Sequence, residues 1–275
     1  MRLIKGFYAF AHEIYENRFV IGQLVKRDYK NRYLGSFLGF VWTIIQPVVM
    51  ILVLWCVFVL GFKSGPMAGG SGQVIPFIAW LSVGIIAWNF FAEAFPSSTN
   101  VFQEYSYLVK KINFKIAILP IVKLLSSFVT HLIFIIIGIV ILLVSGVSVS
   151  WYWIQVLYYL AAMMILLLGL SWVASSLQVF VKDISQVVNV VLQFGFWLTP
   201  VVWNFDIVPK EWQFWFKLNP MFYIVDGYRK SFLFEEAFWK DQQLLGLYFW
   251  GFTLIVLILG VFLFRKLRPH FADVL

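Results

Sequence analysis

The sequence predicts an all-α integral membrane protein: six transmembrane helices, an N-terminal amphipathic interface helix, and two short re-entrant helices between spans five and six. Three observations point there. Of its residues 62% are hydrophobic and 20% aromatic while only 12% are charged, a balance outside the range of soluble domains. Uncharged runs of bilayer-crossing length recur along the chain. Lys and Arg gather in the connections of one side, which orients both termini toward the cytoplasm. About six spans use up most of 275 residues, so 1–275 is read as one transmembrane domain without a separate soluble module.

In residues 1–33, Leu3, Phe7, Phe10 and Ile14 recur at helical spacing with Lys5, His12, Glu13 and Glu16 between them. That pattern predicts a helix lying along the membrane surface. It lacks the compact apolar core of a signal peptide. Within QLVKRDYKNRYLGSFLGFVWTIIQP the charges from Lys26 to Arg32 give way after Gly35 to a run free of charge until Lys63. Water ends there and the first span, 37–61, begins. Gly35 and Gly39 lie at a spacing that permits close helix approach.

A Gly-, Pro- and Ser-rich loop follows at 62–76, then span two at 77–95. The polar stretch beyond it carries Glu104, Tyr105, Tyr107, Leu108, Lys110 and Lys111, whose apolar and basic faces suit docking to another protein. A solvated loop touching only headgroups is the plainer reading. From Leu124 to Val181 there is no Lys, Arg, Asp or Glu, so spans three and four, 124–147 and 151–178, are joined by a turn at Ser145–Ser150. Lys182 and Asp183 precede span five, 184–205. Span six, 242–264, is closed by Arg265, Lys266 and Arg268.

Between spans five and six, 206–241 mixes aromatic residues with charges. Pro209 and Pro220 suit the first turn of a helix and start two short ones, through Trp212, Phe214 and Trp215 and through Phe222 and Tyr223. Pieces of about ten to fourteen residues do not span. Re-entrant helices lining a pathway are one reading, and an interfacial aromatic belt is the other. Most of the 21 Lys and Arg residues fall on the side of the termini; Lys63, Lys210, Lys217, Arg229, Lys230 and Lys240 fall on the opposite, extracytoplasmic side.

Several chemistries are excluded or weakened. With neither GxxxxGK[ST] nor GxGxxG, the chain has no cradle for nucleotide phosphates. Cys56, the single cysteine, builds no disulfide or zinc cluster within one chain, and no metal site is expected. The net charge of +8 marks cytoplasmic loops rather than nucleic-acid binding. Glu235 and Glu236 are adjacent and point apart on a helix, unlike a catalytic carboxylate pair. Glu93 and His131 are the ionisable residues that fall within apolar runs. Each satisfied locally is the default, and a polar pair serving a proton relay is the alternative.

LVKRDYKNRYLGSFLGFVWTIIQP, YLVKKINFKIAILP, VKDI, LTPVVW, LNP and RKLRPHFADVL occur in that order over essentially the whole chain. Together they resemble the membrane (permease) subunit of bacterial ABC exporters of lipid-linked polysaccharide and teichoic acid. The resemblance implies a homodimer in the bacterial cytoplasmic membrane, bound to two ATPase subunits that hold ATP and Mg, with no cofactor in this chain. An undecaprenyl-linked glycan or polyol-phosphate polymer would be the cargo; a drug or lipid exporter of the same architecture, or a membrane-embedded enzyme acting on a lipid carrier, is the rival. Glu104–Lys111 corresponds to the coupling helix, with Arg27 and Arg32 beside it. Trp203–Tyr223 corresponds to outward gate helices, with Phe37 and Trp42 at the head of the first span bordering the path. Two departures stand out: Lys115 follows Phe114 where the family often has Pro, and Lys182 stands where Arg is usual, losing a bidentate donor.

Overall fold

The computed structural model describes residues 12, 14–32, 36–69, 74–111, 114–240 and 243–275. Most of the expected surface helix at 3–20, together with Gly35 and Gln242, lies outside them. The described chain is almost wholly helical. α1 runs Arg18–Arg32 and α2 Trp42–Cys56, the latter extended by a 3-10 turn at Gly39–Val41 and a π-helical turn at Val57–Gly61. A two-stranded antiparallel ribbon, Met67–Ala68 with Val74–Ile75, leads to α3, Phe77–Thr99. Two one-turn helices follow, α4 Val101–Glu104 and α5 Ser106–Val109. Then come α6 Leu119–Val144, α7 Val156–Gln178 and α8 Ile184–Leu198. The short helices α9 Lys210–Lys217 and α10 Pro220–Arg229 precede α11 Gln243–Leu267 and the terminal turn α12 Phe271–Val274.

Among the described residues five helical stretches are long and apolar enough to cross a membrane: Gly39–Gly61, Phe77–Thr99, Ile116–Val144, Trp151–Gln178 and Gln243–Val274. The expected fifth span, 184–205, is cut short at Leu198. Thr199 turns to extended backbone ahead of Pro200, whose ring disfavours the helical conformation in the residue before it. At 1.5 Å per residue α8 is about 22 Å long, less than a hydrocarbon core of about 30 Å. The third helix errs in the other direction. It begins at Leu119, with Pro120 in its first turn, and so takes in Lys123, which the charge pattern had assigned to the preceding loop.

α3 is the centre of the bundle. Of its apolar window 78% is buried, against 11% for Gly39–Gly61. A helix apolar all round is stable when wrapped by others, as α3 is, or when it faces lipid or another chain, as the outward Leu52, Val53 and Leu60 of the first stretch do. α7 and α11 pack backbone to backbone. A Cβ on Gly169 would stand 3.0 Å from the Leu257 nitrogen, and one on Gly260 2.7 Å from the Gly169 carbonyl oxygen. Only glycine permits that approach.

The helices alternate in direction, so the connections gather at two ends. One end holds α1, α4, α5, the start of α6 and α12, closed over a small core of Leu24, Phe102, Tyr105, Val109, Phe264 and Phe271. We refer to it as the basic end. The other holds the ribbon, the Ser145–Trp151 turn, α9 and α10, and is the aromatic end.

Candidate functional site

At the basic end a chain of charges crosses four elements. Lys123 of α6 donates to Asp28 of α1 at 2.6 Å and lies 2.5 Å from Glu104 of α4. Arg32, one turn beyond Asp28 and 3.7 Å from its carboxylate, reaches Glu93 of α3 and donates to Ser127 of α6 at 3.0 Å. The Tyr105 hydroxyl donates to Asp28 at 3.2 Å. Lys123 and Asp28 are each about 5% exposed, so their mutual pairing offsets a desolvation cost that neither could carry alone. Burial by itself would raise the Asp28 pKa. The hydrogen bond from Lys123, with the charges of Lys123 and Arg32, outweighs it and holds the group below its ordinary 3.8. Burial, then the neighbouring Asp28 charge, pushes the Tyr105 hydroxyl up, which keeps it a proton donor.

The expected coupling residues divide into two sets. Tyr105 is 5% exposed and points into the bundle, as does Val109, because α4 and α5 are anchored through Phe102, Tyr105 and Val109. Arg32 also turns inward, to Glu93. Tyr107, Lys110, Lys111 and Arg27 face outward, and the Arg27 guanidinium sits 5.5 Å over the Tyr107 ring. Glu104 is exposed yet paired, and Leu108 is half-buried. The segment is thus an outward basic and aromatic face mounted on an inward ionic anchor.

Glu93 and His131 are not a pair. Glu93 takes Arg32, while His131 Nε2 lies 3.0 Å from the Tyr228 hydroxyl with its ring stacked on Phe90 at 4.6 Å. The imidazole is buried with Nδ1 lacking a hydrogen-bond partner, and its contacts through Nε2 and the ring face tie α6 to α10 and α3.

At the aromatic end α10 is held by rings and hydroxyls. Asn219 caps it, accepting from the Met221 backbone N–H at 3.0 Å, and donates to the Thr199 hydroxyl at 2.7 Å, which joins the LNP and LTP motifs. Tyr223 stacks on Phe249 at 4.8 Å and shares a 3.0 Å hydrogen bond with Tyr158, to which Trp250 donates at 2.9 Å. Arg229, which the charge pattern had placed in an outer loop, is 4% exposed. Its guanidinium donates to the carbonyls of Pro200 and Val201 at 2.6 and 2.7 Å and lies 3.5 Å above Trp80. Gly84 makes the space: a Cβ there would meet the Arg229 Nη2 at 2.6 Å.

The expected gate residues likewise separate. Phe222 and Tyr223 are buried in the core, and Trp203 is half-buried with its indole donating to the Trp197 carbonyl at 3.0 Å. Trp212, Phe214 and Trp215 are about 60% exposed, and so stand out from the bundle on α9; Phe37, just ahead of the first stretch, and Trp42 within it are exposed. Lys123, Asp28, Arg229 and Tyr158 were not among the site residues read from sequence. The i, i+4 spacing of Asp28 and Arg32 was the visible signal for the first network; nothing local marks Arg229, whose partners lie 28 and 29 residues away.

Residues 20–233 match the protein family described as ABC-2 type transporter. The chain is similar to the O-antigen export system permease protein RfbA of Klebsiella pneumoniae, 25% identical over 92% of this chain and 93% of that one. It is also similar to the protein of the same name from Myxococcus xanthus, 26% identical over 96% of this chain and 98% of its counterpart.

Proposed function

The chain belongs to the ABC-2 type transporter family, and from that premise we propose that it is the membrane subunit of an ATP-driven exporter that moves a lipid-linked polysaccharide outward across the cytoplasmic membrane. Its likeness along nearly the full length to O-antigen export permeases carries the substrate class. In this reading two copies form the channel and two separate ATPase subunits bind ATP and Mg. Both termini and the basic end face the cytoplasm, in keeping with the Lys and Arg asymmetry.

Work enters through the outward face of Arg27, Tyr107, Lys110 and Lys111. Displacement of that face by an ATPase is passed on by the ionic anchor, because Glu104–Lys123–Asp28–Arg32–Glu93 links α4, α6, α1 and α3. Rigid-body movement of packed helices then shifts the two halves of the channel relative to one another. Sugar rings present apolar faces that slide over aromatic side chains. Exposed Trp212, Phe214 and Trp215 on α9 supply such a surface at the exit.

The experiment co-expresses the chain with a candidate ATPase subunit from the same organism. Wild type should co-purify with the ATPase and export the lipid-linked glycan. Tyr107→Ala with Lys110→Ala should lower ATPase association, whereas Trp212→Ala with Trp215→Ala should lower export alone. Normal association and turnover in the first variant would end the coupling assignment.

A further inference from the structure

The C-terminal RKLRPH motif takes no part in the ion-pair chain, yet it builds a cavity. α11 ends at Leu267 and the chain bends through Arg268–His270 into α12. The turn is pinned by Phe271, fully buried against Phe102 and Phe264 at ring distances of 5.0 and 6.0 Å. Between this turn and the segment after α5 lies an open cavity of about 470 Å³ lined by Lys110, Lys111, Arg265 and Arg268 together with Phe114 and Pro269. All four side chains are exposed, and among the described residues none of their charged groups makes an ion pair or hydrogen bond. Asp273 is the neighbouring acid on α12 and does not line the cavity. Four unpartnered like charges around one concavity repel one another until an anion enters.

The surroundings say how that anion arrives. Ile255, Leu259 and Phe262 are exposed and form an apolar stripe along α11 that ends at Lys266, whose ammonium lies 5.9 Å over the Phe262 ring, with Arg265 of the cavity wall beside it. Arginine forks match phosphate oxygens in pairs, and basic pockets at the membrane boundary take phosphate-bearing headgroups. We propose that this cavity binds the phosphate of a membrane lipid whose hydrocarbon chain lies along Ile255, Leu259 and Phe262. The inference rests on the reading of the chain as a membrane subunit. A bulk anionic phospholipid and the phosphorylated carrier of the glycan share the required chemistry.

The test uses native mass spectrometry on the full chain in detergent, without any ATPase. The probes are dioctanoyl phosphatidylglycerol, dioctanoyl phosphatidylcholine and farnesyl diphosphate. Wild type should prefer phosphatidylglycerol over phosphatidylcholine by about tenfold or more. Arg265→Gln with Arg268→Gln should abolish that preference. Lys110→Gln with Lys111→Gln, on the opposite wall, should do the same, and Lys182→Gln should retain it. Displacement of phosphatidylglycerol by farnesyl diphosphate at lower concentration assigns the site to the carrier; the reverse order assigns it to bulk phospholipid. No preference in wild type, an unchanged preference in both paired variants, or an equal loss in Lys182→Gln would overturn the site. So would loss of ATPase co-purification in the arginine variant with its lipid preference intact, since the cations would then belong to a protein contact. Failure of ATPase association in Tyr107→Ala with Lys110→Ala leaves these lipid measurements standing.

Discussion

The two ends of the bundle hold a peripheral helix in opposite ways. At the basic end α1 is fastened by a row of alternating charges from four elements, laid beside a small core into which it sends Ile21 and Leu24. At the aromatic end α10 is fastened by stacked rings, shared hydroxyls and one cation that bonds to carbonyl oxygens and an indole face instead of a carboxylate. The first arrangement is directional and depends on protonation. The second is bulky and rests mainly on uncharged groups. A joint that receives a push from a partner suits the first; a closure that must pack without gaps suits the second.

The largest effect that would test this contrast is expected from Arg229→Ala. It strands the Pro200 and Val201 carbonyls and empties the space over Trp80, so it should cost about 4 kcal/mol of reversible unfolding free energy in mixed micelles. A cost no greater than that of a surface arginine would show that α10 is held by rings alone. Lys123→Met should cost about 2 kcal/mol, less because Asp28 keeps Arg32 and Tyr105 and because Glu104 can turn to water. Pairing it with Asp28→Asn should recover part of the loss; strict additivity of the two substitutions would deny that they interact.

A smaller effect concerns acid. The Asp28 pKa is depressed in the folded state, so its contribution to stability is complete above its unfolded value near 3.8 and is lost as pH falls through the lower folded value. Stability of wild type measured from pH 6 down to pH 2 should therefore fall more steeply than that of Asp28→Asn. Parallel curves would remove Asp28 from the account. The smallest effect belongs to Tyr223→Phe, which keeps the stack on Phe249 and gives up one hydrogen bond to Tyr158, for about 1 kcal/mol. A much larger loss would mean that hydroxyls, not rings, dominate the aromatic end.

What the residues alone disclosed follows from the range of the interactions. Apolar runs report local burial, so the long helices and the short ones started by Pro209 and Pro220 were legible. The end of α8 was also legible in principle, since Pro200 biases Thr199 away from helix, but the uncharged run to Phe205 masked that local signal. Lys123 was read as loop because a lysine in an apolar helix is costly unless paired. Its partner Asp28 lies 95 residues earlier. Arg32 and Glu93 are 61 residues apart. Neither pairing leaves a trace at the spacing of one helix, and Arg229 could be recognised only once Gly84 and the two carbonyls were in place around it. The exposed residues of the candidate face, Tyr107, Lys110 and Lys111, were legible because exposed charge beside a span needs no distant partner.

The contact of Gly169 with Gly260 has a mechanical meaning. Where Gly169 meets Leu257 and Gly260, α7 and α11 have no side-chain layer to shear, and sliding one past the other there would drive a carbonyl oxygen into a Cα. The pair is therefore a single two-stranded beam, and α11 alone is about 37 Å long. Phe264 and Phe271 lie at one tip and Tyr158 and Trp250 at the other. A tilt imposed at the basic end would be delivered at the opposite tip as a swing of the rings that hold α10.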